Sequence, residues 1–323
     1  MNILVTGGAG FIGSNYVNQL VRDQVEWGEI TILDSLTYAG NLNNLNPAID
    51  DKRVKFVKGD IRDANLVEEL IRGVSTVVHF AAESHVDRSI SNPSEFVSTN
   101  VLGTQTLLYS ALRNGIKKFL HVSTDEVYGS IETGSWTEFS PLAPNSPYSA
   151  SKGSSDLLAL SYYKTYGLPV FVSRCSNNFG HSQFPEKFIP LAVTNLLDDT
   201  AIPIYGDGSN SRDWLHVSDH CRALNQILDF GLPGEIYNIG GGTEMTNLEL
   251  AKLLIELFGK DDSYISFVED RKGHDFRYSV NFDKLSLVSG YAPSMNFEDT
   301  IKETIDWYRA NQTWWRPLKN VKF

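Results

Sequence analysis

The chain is poor in cysteine, short of long apolar runs and short of positive charge. It has two cysteines, Cys175 and Cys221, in 323 residues. They are far apart and in no C-x-x-C or zinc-like spacing, so a disulfide framework is excluded and two reduced thiols are expected. No metal site is expected either. No run of about 18 apolar residues occurs, so no membrane span is expected. Lysine and arginine number 28 against 39 acids, for a formal charge of −11. A general nucleic-acid surface needs a basic footprint, so nucleic acid is not an expected partner. A small anion stays allowed, because a few arginines and backbone N–H groups suffice to hold one. Repeats and low-complexity segments are also absent from the sequence. The start, MNILVTGG, has no charged leader, long apolar stretch or cleavage site, which gives the expectation of a cytoplasmic protein.

What is there is alternation. Apolar, β-branched runs fall at 2–6, 30–34, 54–60, 76–81, 118–124, 169–175 and 235–240. Helical patterns fall at 11–24, 63–72, 89–114, 148–166 and 217–230. Near-continuous apolar strands are those covered on both faces. Alternation with helices predicts parallel βαβ units in an α/β fold with a doubly wound parallel sheet. After about residue 180 the pattern loosens around Pro185, Pro190, Pro203, Gly206 and Gly208. Two helices stand out there, 246–259 and 296–311; Thr246 and Glu249 form a capping-box pattern for the first, and Gly259 stops it. The spacing predicts a dinucleotide-binding domain from 1–180 and 212–239. A smaller mixed α/β lobe, 181–211 and 240–323, would hold the substrate. Ligands in such folds bind at the carboxyl ends of the strands.

The first strand runs into TGGAGFIG, where Gly7, Gly10 and Gly13 open a helix. Glycine there permits close approach of a diphosphate, and the helix start offers free N–H groups. Asp34 ends the second strand about 21 residues past Gly13. A carboxylate at that place bonds a ribose diol and repels a 2′-phosphate, so NAD rather than NADP is the expected cofactor. Asp60, ending the third strand, is either an adenine contact or a turn carboxylate.

Tyr148 and Lys152 lie four apart at a helix start, on one face. A free tyrosine, with a pKa near 10, is no base at neutral pH. A nearby ammonium and a bound nicotinamide cation would lower it, so that the phenolate takes a hydroxyl proton while hydride leaves the same carbon. In another context Y-x-x-x-K is a surface pair. HVSTDEVYGS (121–130) places Asp125 and Glu126 side by side after an apolar strand. Neighbours within a strand face opposite ways, so both serve one site only where the strand gives way to a loop. Close carboxylates split their pKa values, which yields an acid beside a base. Thr124, just before them, is placed to bond a sugar hydroxyl.

TGGAGFIG, HFAAESHVDRSI (79–90), HVSTDEVYGS, YSASK, RCSNNFG (174–180), PEKFIPL (185–191), GDGSNSRDWLHVSDHCRAL (206–224) and EDRKGHDFRYS (269–279) together resemble the extended short-chain dehydrogenases/reductases. More narrowly, the chain resembles the dTDP-glucose 4,6-dehydratase family over essentially its whole length. The glycine turn and the Tyr/Lys pair are shared by the whole superfamily, whereas Thr-Asp-Glu followed by Val-Tyr-Gly is specific. The resemblance implies a Rossmann domain and a lyase that oxidises C4 with NAD, eliminates water across C5 and C6, and returns hydride to C6. Tyr148 would be the C4 base, Glu126 the C5 base and Asp125 the acid at C6, with Thr124 and Lys152 supporting them.

It implies a cofactor surface of Phe11, Ile12, Asp34, Ser35, Leu36, Thr37, Asp60 and Ile61. That surface continues through Phe80, Ala81, Ala82, Ser84, Thr99, Ser123 and Asn178. It implies substrate contacts from Ser84, Asn177, Lys187, Phe188, Pro203, Ile204 and Tyr205. Arg212, Asn247, Arg271 and His274 complete that set. Arg212 and Arg271 suit a diphosphate, with forked donors; each reads equally as half of a surface ion pair. His85 and Asp87 are either hexose neighbours or structural, and His79 and His121 are expected in the core. Phe188 departs from the smaller aliphatics common in the family, which bears on substrate fit. The Trp314-Trp315 pair reads as packing. The resemblance further implies a homodimer joined through a four-helix bundle of the helices at 89–114 and 148–166. A nucleotide-sugar 4-epimerase or decarboxylase on this scaffold is the alternative enzyme; a catalytically silent NAD sensor is the alternative from another class. The sensor would not need Tyr148, Lys152 and both acids intact.

Overall fold

A computed structural model describes residues 1–319; the last positions of the expected second lobe, 320–323, lie outside the described residues. The strands are β1 (Ile3–Thr6), β2 (Ile30–Asp34), β3 (Val54–Lys58), β4 (Thr76–His79), β5 (Lys118–Thr124) and β6 (Val170–Cys175). They continue as β7 (Asn177–Phe179), β8 (Ile202–Tyr205), β9 (Ser211–His216), β10 (Ile236–Ile239), β11 (Glu244–Thr246) and β12 (Ile265–Val268). The helices are α1 (Phe11–Arg22), α2 (Ala64–Leu70), α3 (Val86–Ser91), α4 (Pro93–Phe96), α5 (Thr104–Arg113) and α6 (Pro147–Tyr166). After them come α7 (Phe188–Leu197), α8 (Val217–Phe230), α9 (Asn247–Leu257), α10 (Asp283–Ser289), α11 (Phe297–Ala310) and α12 (Gln312–Lys319).

Seven strands form one sheet in the order β10-β6-β5-β4-β1-β2-β3, and every pairing in it is parallel. The apolar strand runs are explained by what covers them. One face packs Val5, Ile32, Val78 and Leu120 with α1 and α8; the other packs Leu4, Val77, Phe119 and Val172 with α5 and α6. Burying both faces is what a doubly wound sheet demands of its strands. The fold class and all seven strand positions read from the sequence are those of the structure.

The segment 89–114 is not one helix. Asn92 adopts φ −138°, ψ 71° between α3 and α4, because the ring of Pro93 disfavours helical backbone in the residue before it. Residues 97–103 then form a π-helical turn before α5. The turn directs Asn100 inward, where its amide donates to Ser151 Oγ (2.9 Å) and Glu83 O (3.0 Å).

Beyond the main sheet lie a three-stranded sheet (β11-β9-β7) and a two-stranded one (β12-β8). The three-stranded sheet takes β7 from before residue 180 and β11 from after 240. α7, β8, α9, α11 and α12 enclose a third core around Ile204, Trp214, Leu254 and Tyr308. Trp315 is fully buried there, and Trp314 donates to Asn44 Oδ1 (2.9 Å), so the tryptophan pair is packing. The Thr246–Glu249 capping box forms, and Gly259 has φ +66° after α9. Both cysteines are buried, unbridged thiols.

Candidate active site

The carboxyl edge of the sheet opens on a cavity of about 310 Å³ that runs from the glycine turn to the end of β5. At the glycine end, Gly7 has φ +71°, and a Cβ there would lie 2.5 Å from Ala81 N. A Cβ on Gly13 would lie 2.3 Å from Gly7 O. The turn is therefore as tight as the residues allow, and α1 starts at Gly10 without any side-chain cap, leaving its first N–H groups for a ligand. That cradle fits the diphosphate of a dinucleotide. Asp34 ties the cradle to β2: Oδ2 accepts from Ala9 N (2.9 Å) and Oδ1 from Leu36 N (2.8 Å). Burial raises its pKa, and these bonds oppose the rise. Asp60 pairs with Arg62 at 2.7 Å on the cavity wall, and that pairing lowers its pKa.

At the other end, β5 stops at Thr124 and a 3₁₀ turn begins with Asp125 and Glu126. The Thr124 hydroxyl caps the turn, accepting from Glu126 N (3.2 Å), and it lies 3.3 Å from Asp125 Oδ1. Strand alternation ends there, so both acids reach the cavity. Asp125 is 2% exposed. Its pKa is pushed far up by burial, then by the charges of Glu126 and Asp213. Burial also raises Glu126, but Arg271, Lys187 and Arg212 oppose it. The pair is thus electrostatically unequal: a proton is held more firmly on Asp125.

Ser146 and Ser149 form a capping box with Pro147 at the first position of α6. This start aims Tyr148 into the cavity, whose wall it shares with Thr124. The expected lowering of that phenol needs the nicotinamide cation beside Lys152, and the chain's own groups act the other way. Burial, then Glu126 and Cys175, push Tyr148 well above its ordinary value. The Lys152 ammonium instead donates to Val122 O at 2.7 Å.

The residues expected at the cofactor line this cavity, except Leu36, which packs against the core beside α1. Ser84, Asn177 and Lys187 line it too, with Lys187 Nζ donating to Ser84 O (2.8 Å). The other expected substrate residues lie outside it. Arg212 is held by the carbonyls of Ser211, Phe276 and Asp275, its guanidinium 4.5 Å over the Tyr278 ring. Arg271 keeps a buried Nε without a partner, and His274 Nδ1 is 2.6 Å from Asp270. Tyr205 bonds Asp87 at 3.4 Å, with its ring against His274. Asn247 opens α9, Phe188 opens α7 near Trp214, Pro203 is half-buried on β8, and Ile204 is buried in the third core. His79 and His121 are core residues, as expected. His85 caps α3 and lies 3.7 Å from Glu186.

Sequence reasoning passed over Arg62, Cys175, Gln183 and Glu186, all on the cavity wall. Cys175 and Glu186 lie within quoted motifs, Gln183 falls between two of them and Arg62 is two residues past Asp60, which is the signal that was available. Glu186 also accepts from the Tyr38 hydroxyl at 2.9 Å, joining the loop after β2 to the loop before α7 across the cavity. Arg88 stacks on that tyrosine at 3.7 Å.

Comparison with known proteins gives likeness along nearly the whole chain. Residues 4–304 match the family model described as GDP-mannose 4,6 dehydratase. A dTDP-glucose 4,6-dehydratase of Actinoplanes sp. is 58% identical over 98% of this chain and 100% of its own. The dTDP-glucose 4,6-dehydratase of Streptomyces venezuelae, crystallised with NAD bound, superposes with a TM-score of 0.97 at 56% identity, covering 98% of this chain and 100% of that one. The Bacillus anthracis enzyme, also in complex with NAD, gives 0.92 at 50% identity, covering 98% and 99%. Likeness of this degree along nearly the whole of each chain is a family relationship, and the chain belongs to the dTDP-glucose 4,6-dehydratases.

Proposed function

We propose that this protein is a lyase converting dTDP-glucose to dTDP-4-keto-6-deoxyglucose and water, with NAD as a cofactor regenerated in each turnover. The observation that carries this reading is the Asp125–Glu126 pair on the turn after β5, in one cavity with Tyr148. An epimerase has no use for two acids there.

NAD, when bound, supplies a hydride acceptor at C4 and a hydride donor at C6, and its cationic ring favours an ionised phenol nearby. Gly7, Gly10, Gly13 and the first N–H groups of α1 would hold its diphosphate, and Asp34 with Ser35 and Thr37 its ribose. Tyr148 takes the C4 hydroxyl proton, steered by Thr124. The resulting ketone acidifies the proton at C5. Glu126, facing three cations, removes it. Asp125, protonated among other carboxylates, gives its proton to the C6 hydroxyl, which leaves as water. The proton on Glu126 then returns to C5. Adjacent acids suit adjacent carbons. Arg212, Arg271 and Lys187 are the proposed partners of the nucleotide diphosphate, with Ser84, Asn177, Tyr205, Asn247 and His274 around the rest of the sugar nucleotide.

We read 1–180 with 212–239 as the cofactor domain and the remainder as the substrate lobe. No helix among the described residues is long and apolar enough to cross a membrane, and we assign the protein to the cytoplasm. We also propose a homodimer through α5, α6 and the π-helical turn; their exposed apolar side chains support it.

The test is incubation of the purified protein with dTDP-glucose and no added reductant. The 4-keto-6-deoxy product is the expected result. Formation of dTDP-galactose alone would overturn the reading.

A further inference from the structure

Asp156 has a fully buried side chain one helical turn beyond Lys152 on α6. A carboxylate there needs partners, and it has them on two strands. On β6, Arg174 Nε donates to Oδ2 at 2.9 Å. On β5, His121 Nε2 lies 3.3 Å from Oδ1, and Ser123, two residues on, keeps a buried hydroxyl without a hydrogen-bond partner. Residues 121 and 123 flank Val122, whose carbonyl accepts the Lys152 ammonium. Asp156 therefore meets β5 at His121, the residue next to the one group that Lys152 holds.

We propose that Asp156 is a positioning residue for Lys152: it fixes α6 on β5 at the Val122 carbonyl and provides the buried counter-charge of the ammonium. The inference rests on the dehydratase reading, and it adds a residue that touches neither substrate nor cofactor.

The other ionisable groups facing Lys152 do not replace that charge. His121 on β5 and His79 on β4 are held neutral by burial. Cys175 on β6 is kept protonated by burial. Arg174 on β6 is a cation, burial favours the neutral phenol of Tyr148 on α6 until the cofactor's cation is beside it, and Asp125 and Glu126 lie beyond the strand end. Burial pulls Lys152 down to about 8 even though the nearby groups, Asp156 first, push it up. Asp156 thus sits between two cations, Lys152 and Arg174, in a site with little water to screen them.

The test compares the pH profile of kcat with dTDP-glucose for the wild type and Asp156→Asn. Losing the counter-charge lowers the lysine's pKa. The alkaline limb is therefore expected to move down by about one pH unit, while KM changes less than about twofold. Asp156→Asn leaves the buried Arg174 guanidinium uncompensated, so Asp156→Asn/Arg174→Gln is measured beside it and is expected to give the same shift. An unmoved alkaline limb accompanied by a lower Tm would reduce Asp156 to a structural residue and overturn the proposal. So would failure of the double variant to fold, since no orphaned charge would then explain it. Absence of any 4-keto-6-deoxy product from the wild type would instead count against the function.

Discussion

Asp125 pits stability against activity within one side chain. Its carboxyl has a pKa well above the ordinary value, from burial first and then from Glu126 and Asp213. A raised carboxyl stabilises the fold at low pH, where both folded and unfolded forms carry the proton. From about pH 4, the unfolded chain releases that proton freely while the folded chain does not, so relative stability falls as pH rises towards the folded pKa. Asp125→Asn is isosteric with the protonated form. It should match the wild type near pH 4 and exceed it in Tm by about 2–4 °C at pH 7. Its kcat should fall by about 10² or more. Thermal melts at the two pH values check this; an equal gap at both would detach the effect from ionisation. The acid pair was readable from the sequence because a strand-end DE followed by VYG is unusual. Asp156 was not. SSD at 154–156 reads as a polar helix face, yet Ser155 and Asp156 are fully buried while Ser154 is exposed. α6 lies between the sheet and neighbouring helices, and such covering comes from pairings remote in sequence. The same blindness applied to the phenol: Y-x-x-x-K spacing could not reveal that the lysine would find a carbonyl on β5.

At the scale of elements, the inner sheet strands were legible because double-sided burial writes a nearly unbroken apolar run into them, while β3 at the sheet edge shows Val54, Phe56 and Val57 between the exposed Lys55 and Lys58. The strands of the smaller sheets were not. β7 and β11 have three residues each and gain their pairing from β9, far along the chain. α7 was hidden by Pro190, which the first turn of a helix tolerates because that N–H has no helical partner. The break at Asn92 was readable in principle from Asn-Pro, but the π-helical turn was not, since nothing local separates it from an α-helix. These elements leave an apolar face outward. Leu102 is 57% exposed on the turn, and Tyr109 on α5 and Leu157 and Tyr166 on α6 are exposed with it. Exposed apolar side chains concentrated on neighbouring helices mark an association surface. Sedimentation should therefore give twice the chain mass for the wild type, and Leu157→Lys should shift the population towards monomer. A wild type sedimenting as a monomer would remove the proposed bundle.

Across the whole molecule, the crevice at the strands' carboxyl edge followed from the topology alone, whereas the contacts that close it did not. The glycine turn lies at one end and the acid turn at the other, and the loops carrying Tyr38 and Glu186 meet over the space between. A hydrogen bond to a charged acceptor contributes about 1.5–3 kcal/mol. Tyr38→Phe should therefore release NAD at least about tenfold faster in a chase with excess labelled cofactor, with turnover of dTDP-glucose little changed. An unaltered release rate would mean that this contact does not govern exit. In kinetic terms, the Tyr38–Glu186 contact makes cofactor residence time a property of loop opening and separates it from the catalytic cycle. A dehydrogenase that leaves its nicotinamide reduced must let it go each time. Here the hydride comes back before the sugar departs, so a cofactor held across many cycles slows nothing.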